Sequence, residues 1–295
     1  MNSSHEATPN RLDAADPAAT VAEIERRGSR LLTPCGSGSL VWHRWGSGPV
    51  VILLHGGFGS WTHWIRNIEP VAARHTVLAP DLPGLGESAM PPRVDDPWDL
   101  VRILAEGLSE LIPDQSPYHL AGFSFGGVVA GPLAAIHGER VRSLTLVGTG
   151  GVGPPWSPVE LQSWRRAPDD AARAAIHRVN LARLMFADPA AIDELAIHLQ
   201  SQNAARARLK TRPIARTQLL ADALSRSSTQ VAAIYGKNDA TVPDLALREQ
   251  RLRGIVADLR FTVIEGAGHW VPYEQADAFN AELTSIIDRA ERGSV

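Results

Sequence analysis

The sequence predicts an α/β fold: a mostly parallel central sheet, helices on both faces, and a helical cap inserted between two of its strands. Three observations carry that reading. Short apolar runs alternate with longer helix-like segments from Ser39 onward. The run Val50-Val51-Ile52-Leu53-Leu54 is continuously apolar, as a strand buried on both faces must be. The alternation breaks once, from Gly151 to about Ser225, in a block too long for a structureless loop.

Element by element, Leu40–Trp45 reads as a hairpin strand closed by Gly46-Ser47-Gly48-Pro49 and feeding the apolar run that follows. Further strands are expected at Thr76–Ala79, Tyr118–Ala121, Val141–Val147, Gln230–Tyr235 and Arg260–Ile264. Helices are expected at Trp98–Leu111, Gly126–His137, Pro243–Arg253 and Pro272–Ile287. The helix opening on Gly126-Gly127 has poor intrinsic propensity there, but two glycines permit close packing on the sheet. The expected organisation is a disordered tail over residues 1–20, a first part of the core over 21–150, a helical cap over 151–225, and a second part of the core over 226–295.

Composition narrows the function classes. The chain has 295 residues, enough to bury a full core without staples. A net charge of −3 argues against a nucleic-acid surface or a polybasic membrane anchor. Cys35 is the only cysteine, which excludes an internal disulfide and any Cys-based zinc site. No apolar run reaches the ~18 residues of a membrane span. The first 20 residues lack the apolar stretch of a signal peptide, so a cytoplasmic location is the expectation.

Chemistry is concentrated at a few loops. Gly122-Phe123-Ser124-Phe125-Gly126 matches G-x-S-x-G, lies between an apolar strand and a helix, and so reads as a nucleophile elbow. Small residues flank the serine because a tight strand-to-helix turn leaves no room for side chains. A serine hydroxyl needs a base, and the base needs an acid to orient it. His269 follows a strand on the Gly-rich loop Glu265–Trp270, and Asp239 follows another in Tyr235-Gly236-Lys237-Asn238-Asp239. Each has a plain alternative: a turn serine, a surface histidine, and an Asx-turn aspartate. Glu265 is a local rival as the acid, set on the strand side of the His loop. Gly148, Gly150 and Gly153 match G-x-G-x-x-G, but Pro154-Pro155 stand where a nucleotide-binding helix must begin, which rejects a dinucleotide site.

These segments together resemble the α/β-hydrolase superfamily, in its serine-nucleophile branch. The order Ser124, Asp239, His269 is that fold's order, and His55-Gly56-Gly57-Phe58 and Asp81-Leu82-Pro83-Gly84-Leu85-Gly86-Glu87-Ser88 match two of its loops. The resemblance implies the α/β-hydrolase fold, an acyl-enzyme mechanism, and an oxyanion hole built from the backbone N–H groups of Gly57 and Phe125. His55 and Asp81 are expected to organise loops. No metal or organic cofactor is implied.

The implied partner is a small-molecule substrate with an apolar part, with no nucleic acid and no membrane; the oligomeric state is left open. Phe58, Phe123, Trp156 and Trp270 are the candidate substrate-binding residues, with plain packing of the tryptophans as the alternative. A carboxylic ester or lactone is the first substrate reading. Carbon–carbon bond hydrolysis is the second, because Gly268-His269-Trp270, the Glu274–Asn280 stretch and Asp188–Leu195 resemble the meta-cleavage-product hydrolases of aromatic degradation. Phe123 departs from that subfamily, which has a polar residue before the nucleophile. A third reading is a non-catalytic small-molecule binding protein on the same fold. The excess of arginine over carboxylates in the cap fits either a lid that attracts anions or a solvated helix face.

Overall fold

The computed structural model describes residues 16–153 and 158–293. Eight strands form one sheet: β1 (Ser29–Cys35), β2 (Gly38–Trp45), β3 (Val50–Leu54), β4 (Thr76–Pro80), β5 (Tyr118–Phe123), β6 (Val141–Val147), β7 (Gln230–Gly236) and β8 (Arg260–Ile264). Their spatial order is β1-β2-β4-β3-β5-β6-β7-β8; the β1·β2 and β2·β4 pairings are antiparallel and every pairing from β4·β3 onward is parallel. The helices are α1 (Pro17–Arg26), α2 (Ile68–Ala72), α3 (Pro97–Leu111), α4 (Phe125–His137), α5 (Asp170–Leu184), α6 (Glu194–Arg206), α7 (Thr211–Ala215), α8 (Leu219–Leu224), α9 (Leu245–Ile255), α10 (Val271–Glu274) and α11 (Ala276–Arg292). The four helices α5 to α8 lie between β6 and β7, so the described part of that segment carries no strand.

Strand alternation splits the core in two. On β3, Ile52 and Leu54 enter one cluster with α3 and α4, while Val51 and Leu53 enter the other with α11 and part of the cap. Both faces of the strand are therefore dry, which explains its unbroken apolar sequence.

Three expectations are corrected. Of the tail expected over residues 1–20, the part from Asp16 on is ordered: α1 begins at Pro17, with the Asp16 carboxylate accepting from Ala18 N–H, and residues 1–15 lie outside the described residues. Asp at the cap and Pro in the first turn are strong helix starters. Ile24 then anchors the helix: it is buried, and its carbonyl accepts from the Trp45 indole at 2.7 Å. Second, the hairpin partner of β2 is β1, not β3, with Cys35 opposite Gly38. β1 has no clean sequence signal, since it contains Pro34, which an edge strand tolerates. Third, the expected helix over Pro272–Ile287 is two helices broken at Gln275.

The lone Cys35 is buried, with its thiol 3.3 Å from the Ala89 carbonyl, and burial pushes it up to about 11. At neutral pH it is a small core residue rather than a reactive thiol. No helix among the described residues is long and apolar enough to cross a membrane.

Candidate active site

The loops that leave β3, β5, β7 and β8 meet at the C-terminal edge of the sheet, the usual ligand edge of such folds. The turn after β5 sets the geometry. Ser124 sits at φ +50°, a left-handed conformation that a non-glycine residue adopts at a cost of order 1–3 kcal/mol. Its N–H is anchored to the Val147 carbonyl at 2.7 Å. Crowding dictates the flanking glycines: a Cβ on Gly122 would lie 2.6 Å from the Gly126 backbone, and one on Gly126 would lie 2.2 Å from the Leu54 carbonyl oxygen.

Three chain-distant side chains converge there. Ser124 Oγ lies 3.0 Å from His269 Nε2, and His269 Nδ1 lies 2.8 Å from Asp239 Oδ2. The aspartate is oriented from its other side, where Thr241 donates to Oδ1 from both its N–H (2.8 Å) and its hydroxyl (2.7 Å). That leaves Oδ2 to accept the imidazole N–H, which sets Nε2 as the acceptor facing Ser124. Asp239 and His269 are both buried, while Ser124 keeps partial access to solvent. The rival Glu265 points away, its side chain 78% exposed and 3.7 Å from Lys237.

The loop after β3 is held from two sides. His55 Nε2 accepts from Leu82 N–H at 2.8 Å, so the ring proton lies on Nδ1 and is donated to the Gly56 carbonyl at 2.8 Å. Gly56 N–H is held in turn by His63 Nδ1 at 3.2 Å. The Gly56 carbonyl and the Gly57 N–H belong to one trans peptide, so fixing the first aims the second in the opposite direction. Both imidazoles stay neutral: burial takes His55 down to about 4 and His63 well below the ordinary histidine range. Asp81 organises the neighbouring loop, accepting from Trp61 N–H (2.9 Å) and Glu87 N–H (2.8 Å).

The expected substrate-binding residues divide. Phe58 is 38% exposed on this loop, at φ +55°. Phe123 and Trp270 are fully buried and offer no wall to a ligand. Phe123 packs against His63, Trp64 and the His269 ring, with 5.1 Å between its centroid and that of His269. Trp270 stacks on Tyr273 at 4.3 Å and donates its indole N–H to the His63 carbonyl, the partner a buried indole requires. Trp156 lies outside the described residues. Among the cap arginines, Arg178 pairs with Glu194 and Arg206 with Glu87, as a solvated helix face does.

Glu274 carries a role that sequence reasoning left unassigned. Its carboxylate accepts from Gly268 N–H (2.7 Å) beside the His269 loop, and from the N–H groups of Ala187 and Asp188 (both 2.9 Å) in the cap. It ties the His269 loop to the inserted segment. Glu274→Ala should lower the unfolding free energy by about 3 kcal/mol, because charge-assisted bonds are lost and donors are left unpaired. Denaturant titration of the two proteins checks this, and matching midpoints would remove Glu274 from the account.

A profile of the alpha/beta hydrolase family matches residues 51–282. The chain belongs to that family. It is 30% identical over 284 residues to the dihydrolipoyllysine-residue acetyltransferase component of the acetoin cleaving system of Pseudomonas putida, covering 93% of this chain and 70% of that protein. It is also 30% identical over 254 residues to the 2-hydroxy-6-oxo-6-phenylhexa-2,4-dienoate hydrolase of Burkholderia cepacia, covering 80% and 86%. Its fold is shared with a thermophilic esterase from Thermogutta terrifontis, at a TM-score of 0.66 and 23% identity over 89% of this chain and 99% of that one.

Proposed function

We propose that this alpha/beta hydrolase is a serine esterase that cleaves a carboxylic ester or lactone through an acyl-enzyme. The observation that carries the proposal is the continuous hydrogen-bonded line from Ser124 Oγ through His269 to Asp239 Oδ2 at 3.0 and 2.8 Å. His269 Nε2 takes the hydroxyl proton as Ser124 Oγ attacks the carbonyl carbon. Asp239 stabilises the imidazolium that results. Negative charge on the carbonyl oxygen is met by the N–H groups of Gly57 and Phe125, the second at the N-terminus of α4, where the first-turn N–H groups have no intrahelical partner. Collapse of the tetrahedral species expels the alkoxide, which His269 protonates. Water, deprotonated by the same imidazole, then releases the acid.

Carbon–carbon bond hydrolysis is the second reading, favoured by the Burkholderia cepacia relative, whose name states such a dienoate. The ester reading is preferred on chemistry. A dienoate substrate carries a free carboxylate that needs a cation inside the site, and no arginine or lysine of the described part of the cap is buried. The two readings separate on kcat/KM for a short p-nitrophenyl ester and for a 2-hydroxy-6-oxo-dienoate. Preference for the ester is expected. A strong preference for the dienoate would replace the esterase proposal with the second reading.

A further inference from the structure

We infer that the hydroxyl of Thr211 is a third donor to the substrate oxygen, added from the inserted segment to the two backbone donors of the core. This rests on the esterase reading above. Thr211 opens α7 and is 3% exposed. Its Oγ1 lies 2.6 Å from the point where a Cβ on Gly57 would stand, and Phe125 Cβ lies 3.7 Å from the same point. The hydroxyl therefore lies against the Gly57 backbone, with Phe125 beside it, the two residues whose N–H groups the esterase reading assigns to the developing charge. A side chain at position 57 would displace it, which gives Gly57 a reason to be glycine beyond backbone freedom.

The segment is pinned on both sides of Thr211. Arg208 N–H and Leu209 N–H both bind the Gly84 carbonyl, at 2.9 and 3.1 Å, and the Arg208 guanidinium binds the Ser88 carbonyl at 2.5 Å. Leu209 and Ile214 are buried in the core that holds Phe125. Among the described residues, none of the hydrogen bonds that anchor the segment uses the Thr211 hydroxyl. Buried hydroxyls are as a rule hydrogen-bonded, and a bound carbonyl oxygen supplies the acceptor here. Such a donor is rigid before substrate arrives, the condition under which a hydrogen bond stabilises a transition state most. It also makes the oxyanion pocket depend on the docking of the inserted segment on the core.

The test compares wild type, Thr211→Val and Thr211→Ser on p-nitrophenyl acetate. A separate aliquot of every protein is labelled at Ser124 with a fluorophosphonate, and the melting temperature of the unlabelled protein is recorded. Thr211→Val, which keeps the shape and removes the hydroxyl, should lower kcat at least ~10-fold with KM within about threefold, somewhat less than the loss of a principal oxyanion donor. Thr211→Ser should restore kcat to within about threefold of wild type. The inhibition constant of an aryl trifluoromethyl ketone, whose adduct mimics the tetrahedral species, should rise in Thr211→Val by the factor by which kcat/KM falls. A Val variant with wild-type kcat overturns the inference, as does an equal loss in Val and Ser, which would mark packing and not the hydroxyl. In both cases labelling and turnover of the wild type leave the esterase reading standing. A wild type that neither labels nor turns over overturns the esterase reading and this inference with it.

Discussion

Ser124→Ala is expected to lower kcat on an ester substrate by at least ~10³-fold, with the melting temperature unchanged from wild type. The magnitude follows from what the variant retains. The Gly57 and Phe125 N–H groups and the substrate contacts remain, so some acceleration over water persists. The acyl-enzyme does not form, because the alanine offers His269 no hydroxyl to deprotonate. Stability is spared because, among the described residues, the Ser124 side chain bonds only His269 Nε2, and alanine meets the same backbone strain at φ +50° as serine does. Asp239→Asn should cost a comparable factor by another route. Thr241 already donates twice to Oδ1, so the new amide would be turned with its N–H₂ toward His269 Nδ1, and the imidazole would take the wrong tautomer. Steady-state kinetics with melting curves read both effects. Near-wild-type turnover by Ser124→Ala would sink the esterase proposal.

Acid should unfold the protein in a window set by its buried histidines. Burial takes His43, His55 and His119 down to about 4. In the unfolded chain they titrate at the ordinary value near ~6.5. Between those values the unfolded state binds more protons, so stability falls as pH drops from about 6.5 to about 4. Each group contributes on the order of 3 kcal/mol across the window, from ~1.4 kcal/mol per pKa unit. Asp81 acts in the opposite sense. Burial raises it to about 6, so its protonation below that value favours the folded state and offsets roughly one histidine. Asp99, held down to about 2 by Arg93, matters only below the window. Denaturant titrations at pH 7.5, 6.0, 5.0 and 4.5 should therefore show a steep loss with acid. A flat unfolding free energy across that range would contradict neutral burial of the three rings.

The legible part of the fold was the part with local signals. β3, β6 and β8 run over the residues their apolar runs predicted, and the other four read strands shift by no more than two residues at an end. α1 and β1 were missed because their support is tertiary: Ile24 is held by Trp45 from a distant strand, and β1 is an edge strand whose Leu32 is 52% exposed. At the site, Ser124, Asp239 and His269 could be named from spacing because each follows a strand at one edge of a parallel sheet. The residues that hold them were not legible in the same way. Thr241 orients Asp239, His63 holds Gly56, and Glu274 ties the His269 loop to Ala187 and Asp188, and each acts through a backbone or side-chain geometry that leaves no periodic mark. Phe123 and Trp270 were misread for a related reason. An aromatic residue beside a nucleophile looks the same in sequence whether it faces a ligand or the core.

Local covalent rules were sufficient to determine which strands are buried on both faces, where the chain turns sharply at Ser124, and which three side chains share an edge of the sheet. Apolar period, turn crowding and strand ends all act over a few residues, so they are written in consecutive letters. Tertiary structure alone decided that His55 and His63 would be neutral clamps on the Gly56 peptide, that two aromatic residues would be packing and not pocket, and that Thr211 would descend over Gly57. Those outcomes depend on which distant group fills the space beside a given atom, and burial, hydrogen-bond partners and charge state are all set by that neighbour.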